Sequence, residues 1–137
     1  MYEEFDFSFG QTVDDVMIYI GQHTKQWTGP ANLSRALDHV TNSGFDAATG
    51  SRSAARKFVV VFLHGLSDDY TAVKSSADAL KRSGVTMATV GLGYTNMTSL
   101  LELASDPALA FSVGEDINIP YKVLSAMAGS MEFDVCN

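Results

Sequence analysis

The sequence predicts an α/β fold: an open, mostly parallel sheet with an antiparallel edge strand and helices on both faces. Three observations predict it. Phe58-Val59-Val60-Val61-Phe62-Leu63 is an unbroken apolar run that stops at His64-Gly65. Such a run reads as a strand buried on both faces, hence a central strand of a parallel sheet. From there to the C-terminus, strand and helix patterns alternate, which implies right-handed βαβ units. Residues 2–9 instead alternate polar and aromatic, with Phe5, Phe7 and Phe9 on one face, the pattern of a half-buried edge strand.

Taken in order, the edge strand gives way at Thr12 to a helix, with Asp14 and Asp15 near its positive end. Val13, Val16, Met17 and Ile20 recur at helical spacing and form its expected buried stripe. Thr28-Gly29-Pro30 breaks the chain, and Leu33, Ala36, Leu37 and Val40 mark a second helix, so that helices occupy 12–43. Residues 46–56 are small and polar and read as a loop. After the strand at 58–63, Ser67-Asp68 is expected to cap a helix from Tyr70 to Arg82 that buries Val73, Ala77 and Leu80. Ser83-Gly84 ends that helix. A strand at 85–90 runs into Gly91-Leu92-Gly93, and a short helix carries Leu100, Leu101 and Ala104 until Asp106-Pro107 stops it. A strand from Leu109 to Val113 and a helix with Val123, Leu124 and Met127 complete the pattern. Residues 57–137 thus read as a βαβαβα core, and 1–137 as a single domain.

Composition excludes several functions. The chain has 137 residues, 46% of them hydrophobic, enough to bury a core. Its net charge of −7 offers no basic stripe to a nucleic acid or an anionic membrane surface. No apolar stretch reaches membrane-spanning length, so no membrane insertion is expected. Met1-Tyr2-Glu3-Glu4 has neither the basic nor the apolar region of a signal peptide. The single cysteine, Cys136, lies at the tail and is a candidate for an intermolecular disulfide. Asn32-Leu33-Ser34 and Asn96-Met97-Thr98 are glycosylation sequons, which matter if the protein is secreted.

Two families compete for the strand ending in His64-Gly65. Phe62-Leu63-His64-Gly65-Leu66 resembles the oxyanion-hole strand of α/β-hydrolases. That family needs a Gly-x-Ser-x-Gly nucleophile elbow, and this chain has none. His64 is also the last histidine, so no triad histidine follows a serine and an acid. His23 and His39 fall on helices as surface residues. An enzyme using His64 is therefore the lesser reading, and no catalytic residue is assigned.

The chain resembles the von Willebrand factor type A domain over nearly its whole length. The resemblance rests on the order of several segments. Glu4-Phe5-Asp6-Phe7 precedes an amphipathic helix, and the loop Thr28-Gly29-Pro30-Ala31-Asn32-Leu33-Ser34-Arg35 leads to the Ala36-Leu37 pair. The Val-rich strand follows, then Ser67-Asp68-Asp69, Ser83-Gly84-Val85, Val90-Gly91-Leu92-Gly93 and Leu101-Glu102-Leu103-Ala104-Ser105-Asp106-Pro107.

The resemblance implies a Rossmann-like sheet with a divalent cation, usually Mg²⁺, on its top. The family holds that ion by an Asp-x-Ser-x-Ser motif, a Thr before the Ala-Leu helix and the Asp of a Thr-Asp-Gly at the strand end. Here the Thr position falls at Leu33 and the Asp position at His64, and the Asp-x-Ser-x-Ser motif is absent. Asp6-Phe7-Ser8-Phe9-Gly10 only looks like it and belongs to the edge strand. Ser34, Ser67 and Asp68 are the nearest oxygen donors, and Asp68 reads first as part of a helix cap. The expectation is a degenerate metal site, with no cofactor unless Mg²⁺ ligands come from elsewhere.

The family's first strand, first helix and second strand also lack counterparts, so the domain is expected to be partial at its N-terminal side. Unpaired strand edges are templates for pairing. The expected function is a non-enzymatic interaction, scaffold or adhesion domain of an extracellular or secreted matrix-type protein. Its expected partner is a protein: a matrix protein, a complementing segment, or a second copy through oligomerisation or domain swapping. The alternative is a cation-dependent ligand-binding domain completed by another segment or chain.

Overall fold

The computed structural model describes residues 6, 8, 12–22, 32–65, 69–93, 95–113, 121 and 125. Their elements, in chain order, are helix α1 (Val13–Gln22), helix α2 (Leu33–His39), strand β1 (Lys57–Leu63) and helix α3 (Tyr70–Arg82). Strand β2 (Val85–Leu92), helix α4 (Met97–Leu103) and strand β3 (Ala110–Val113) follow. The strands form one parallel sheet in the order β1-β2-β3. Each crossover carries one helix, as parallel pairing requires. In register, Lys57 faces Val85 and Leu63 faces Gly91, while Thr89 faces Ala110 and Leu92 faces Val113.

Local chemistry sets the boundaries. Thr12 and Asp15 cap α1 reciprocally: Thr12 Oγ1 accepts from Asp15 N (3.2 Å), and Asp15 Oδ2 accepts from Thr12 N (3.1 Å). Asp69 caps α3 by accepting from Ala72 N (3.1 Å), and Lys81 and Arg82 complement the negative end. Gly84, at φ 84°, makes the left-handed turn out of α3 into β2. Asn96 and Asp106 cap α4 and the short 3₁₀ turn Pro107–Leu109. Beyond the ladder with β3, Ser105 continues the outer edge of β2: its N–H donates to Met87 O (2.8 Å) and its hydroxyl accepts from Met87 N (2.9 Å).

The core lies where α2, α3 and α4 meet β2. Leu37, Val73, Ala77, Leu80, Met87 and Leu100 are essentially inaccessible, each large side chain contributing about 1.5–3 kcal/mol by burial. Consecutive residues Met87 to Gly91 are buried, so β2 is covered on both faces. Val90 belongs to a small second cluster with Val60, Leu92, Phe111 and Val113. No helix among the described residues is long and apolar enough to cross a membrane.

Several expectations need correction. The apolar run does not form a strand buried on both faces: residues 57–61 are half-buried and Phe62 is 63% exposed. The reason is topological, because among the described residues β1 pairs only with β2. On α1, Val13 is 78% and Met17 64% exposed, while Val16 is half-buried. The expected buried stripe is therefore not buried at Val13 and Met17, because no described element packs broadly against α1. The cap of α3 is Asp69 rather than Ser67-Asp68, and β2 runs through Leu92 rather than ending at Val90. On α4, Leu101 is 39% exposed and Leu103 fully buried. α2 ends at His39 and continues as a π-turn over Val40–Gly44, and His39 is half-buried, its ring Nδ1 3.2 Å from Ser43 Oγ.

Of the expected edge strand at 2–9, only Asp6 and Ser8 are described. Ser8 lies in a turn and donates from its N–H to Asp6 Oδ1 (2.9 Å). The rest of that strand, Thr28-Gly29-Pro30, His23, and Val123, Leu124 and Met127 lie outside the described residues, although Tyr121 and Ser125 are helical.

Candidate functional site

In an open parallel sheet, ligand sites form beyond the carboxyl ends of the strands. Here those ends are Leu63-His64-Gly65 and Gly91-Leu92-Gly93. Leu63 is buried, and His64 is exposed immediately after it. Among the described residues His64 makes no hydrogen bond and no ion pair. The loop after β2 closes against it: a β-carbon at Gly93 (φ 68°) would lie 3.5 Å from His64 Nε2.

Thr95 ties the two strand ends together. Its hydroxyl lies 3.3 Å from Leu63 O and 3.1 Å from Leu92 O, one proton shared between two carbonyls. This contact needs Gly91, where a β-carbon would meet Leu100 Cδ1 at 2.7 Å and Thr95 Cβ at 2.9 Å. Asn96 then starts α4, its side chain accepting from Thr98 N (3.0 Å). Thr95 was not singled out from the sequence; the only cue is its place two residues after Gly93 and one before a capping Asn.

At the start of α2, Asn32 Oδ1 accepts from Arg35 N (2.9 Å) and from Ser34 Oγ (3.0 Å). Ser34 thus supplies its proton to the helix cap, and Leu33, half-buried, packs against the core. Leu33 brings no donor atom and His64 brings an imidazole. Mg²⁺ prefers six hard oxygens, so these two side chains do not suit it. No group of three or more His, Cys, Asp or Glu among the described residues is placed to hold a metal. Ser67, Asp68 and Cys136 lie outside the described residues.

A surface network on α3 and α4 also escaped the sequence pattern. Tyr70 Oη donates to Glu102 Oε2 (2.5 Å), and Lys74 Nζ donates to the same oxygen (3.1 Å). The Tyr70 hydrogen bond, with Lys74 beside it, holds the Glu102 carboxyl below its ordinary range. Desolvation, with Glu102 accepting its proton, pushes the Tyr70 phenol up. The network pins α4 to α3 at the surface.

Comparison with known proteins follows this geometry. The family model for the von Willebrand factor type A domain matches residues 1–121. The human collagen alpha-6(VI) chain is 30% identical over 123 residues, 90% of this chain and 5% of that protein. Human matrilin-1 is 35% identical over 72 residues, 53% of this chain and 14% of that protein. Among solved structures, proximal thread matrix protein 1 of the mussel byssus, with zinc in its MIDAS motif, aligns with a TM-score of 0.78 at 21% identity. That alignment covers 90% of this chain and 32% of the mussel chain. The chain therefore spans a small part of each relative, and the structural likeness shows the fold.

Proposed function

Because this chain belongs to the von Willebrand factor type A family, we propose that it is a non-enzymatic interaction domain of an extracellular matrix protein. It binds protein partners without a resident cation. The observation that carries this reading is His64: an imidazole stands at the carboxyl end of β1, where the family's pattern has a metal-binding aspartate. Collagen and matrilin relatives and a byssus matrix protein support the matrix setting. The lack of any acceptor orienting His64 among the described residues speaks against a general-base role, since such a base needs a partner to fix its ring.

The partner surface is the flank of β1 that carries exposed Phe62, and its occupant is a matrix protein, a completing segment or a second copy. Residues 1–137 act as one domain of the family. Asn32 and Asn96 are both exposed and use only their side-chain oxygens as caps. Both are therefore compatible with N-linked glycosylation in a secreted protein, and Cys136 with a disulfide to another chain.

Calorimetric titration of the 137-residue chain with Mg²⁺, Mn²⁺ and Zn²⁺ tests the metal-free reading. No saturable heat is expected at millimolar Mg²⁺ or Mn²⁺. Saturable micromolar binding of either would overturn it. The zinc in the mussel protein favours one second reading, a cation held by His64 with ligands from another segment. A micromolar Zn²⁺ isotherm abolished by His64→Ala would establish that one instead.

A further inference from the structure

The sequon Asn96-Met97-Thr98 lies at the start of α4, beside the carboxyl end of β1. Two contacts place it there. Thr95, one residue before it, has its hydroxyl 3.3 Å from Leu63 O. Gly93 stands against the next residue of β1, since a β-carbon there would lie 3.5 Å from His64 Nε2. Asn96 and Thr98 are both exposed, as is Met97 between them. The cap of α4 uses Asn96 Oδ1, which accepts from Thr98 N (3.0 Å). Nδ2, the atom that carries an N-linked sugar, takes no part in that bond. A glycosylated asparagine is still an amide with the same carbonyl oxygen, so the cap survives the modification.

The register shows which side of the sheet this is. Thr89 Oγ1 donates to Leu100 O (2.9 Å), and a β-carbon at Gly91 would meet Leu100 Cδ1 at 2.7 Å, so these odd-numbered positions of β2 face α4. Successive residues of a strand point to opposite faces. Phe62 pairs with Val90, and Val90 clusters with Val60 and Phe111 on the other face. Phe62 therefore looks away from α4, although it stands two residues before His64.

We infer that Asn96 carries an N-linked glycan that screens the His64 end of the sheet on its helix side and leaves the Phe62 face open. In the transfer, Nδ2 attacks the anomeric carbon of an oligosaccharide joined to a lipid diphosphate, the donor of the secretory pathway. The Nδ2–C1 bond forms, the C1–O bond to the diphosphate breaks, and the lipid diphosphate leaves with that electron pair. Nδ2 gives up one of its two protons to a base of the transferase, and nothing is oxidised or reduced. Thr98 supplies the hydroxyl that completes the acceptor triplet. The attached chain is bulky and hydrophilic, and its anchor adjoins the residues that contact Leu63 and His64. A large partner is thereby kept from the helix side of the strand ends and directed to the flank of β1. Attachment rests on the secreted-protein reading above; the sidedness rests on the register and on the contacts of Thr95 and Gly93.

The test uses the 137-residue chain secreted behind an added leader from cultured animal cells. A background of Asn32→Asp and Cys136→Ser leaves one sequon and no native thiol. Peptide mass spectrometry before and after enzymatic removal of N-glycans should find Asn96 occupied. His64→Cys and Phe62→Cys are then each labelled with a maleimide carrying a long polyethylene glycol. The reference for each is the same protein with Thr98→Ala, which destroys the sequon and keeps the Asn96 cap. The glycan should slow labelling of the His64→Cys thiol at least fivefold and change labelling of Phe62→Cys less than twofold. An unmodified Asn96 in the secreted chain would overturn the site. Equal labelling of His64→Cys with and without the glycan would overturn the screening, and equal slowing at both positions would overturn its sidedness. Failure of the matrix reading would show elsewhere, as absent protein binding at the Phe62 flank of a chain that still carries the glycan.

Discussion

Replacing Gly91 by alanine tests how the two strand ends are held. The added methyl would lie 2.7 Å from Leu100 Cδ1 and 2.9 Å from Thr95 Cβ, against about 3.5–4.0 Å for carbon atoms in ordinary contact. Leu100 is fully buried and cannot swing into solvent. Thr95 Cβ is fixed to the backbone, so relief there requires moving the chain and stretching the hydrogen bonds to Leu63 O and Leu92 O. Contacts this short to atoms that cannot yield put the overpacking cost in the upper part of its usual range, about 2–3 kcal/mol, offset by roughly 0.5–1 kcal/mol because glycine is the poorer strand residue. The net loss is about 1–2.5 kcal/mol, or roughly 3–9 °C in melting temperature for a chain of this size. Urea unfolding monitored by circular dichroism measures it, with m unchanged. Leu100→Ala alone should cost about 2–5 kcal/mol, and the double variant should cost less than the two singles added together. A Gly91→Ala protein within about 0.5 kcal/mol of wild type, a difference typical of changes that touch nothing, would refute the reasoning. Strict additivity in the double variant would refute it too.

Three further outcomes follow from named contacts. Thr89→Val removes the buried hydrogen bond to Leu100 O (2.9 Å) but leaves that carbonyl its partner Ala104 N (3.0 Å), so chemical denaturation should show a loss of about 1 kcal/mol or less. Asn96→Ala should cost about 1 kcal/mol through loss of the α4 cap, whereas Asn96→Asp should hold stability while destroying the sequon, which a melting curve and intact mass read together. Glu102→Gln should lose the pH dependence of the surface network: the lowered Glu102 pKa contributes stability above the unfolded value near 4.5 and loses it as pH falls through the folded value. The gap between wild type and variant should therefore be full at neutral pH and close in acid, in urea titrations across that range.

Helices and strands with a local signature were legible in the chain. α3 begins at Tyr70 and ends at Arg82, as its period, the nearby acids and Ser83-Gly84 indicated, because cap and stripe chemistry act within a few residues. The parallel sheet was legible from strand–helix alternation. What could not be read was which apolar face finds a cover. Phe62 sits in an apolar run that suggests burial on both sides, yet it is exposed because pairing partners are set by topology. Met17 and Val13 fall on the stripe of α1 expected to be buried, and both are exposed because no described element packs broadly against that helix. Ser67-Asp68 and Asp69 are equally good caps by composition, and only backbone geometry selected Asp69. At the candidate site, His64 was identifiable by its place after β1. Thr95 was not, since its role depends on two carbonyls brought together from residues 63 and 92.

Thr95 bears directly on what the top of this sheet needs. Where a metal organises strand ends, the ion gathers ligands from separate loops, and removing it leaves them without a common partner. Here a side chain does part of that gathering. One hydroxyl spans the ends of β1 and β2, Gly91 leaves the space for it, and Asn96 fixes the helix that follows. The loop after β2 is thereby set against His64 by contacts of Thr95 with both strand ends. Thr95→Val keeps the shape and removes the proton that spans the two carbonyls. If the hydroxyl organises this end, that variant should lose about 0.5–1.5 kcal/mol, the net worth of one hydrogen bond. It should also speed amide exchange at Gly93 and Asn96, and added Mg²⁺ should restore neither. Recovery of protection by Mg²⁺ would show that a cation, and not Thr95, is the organising element.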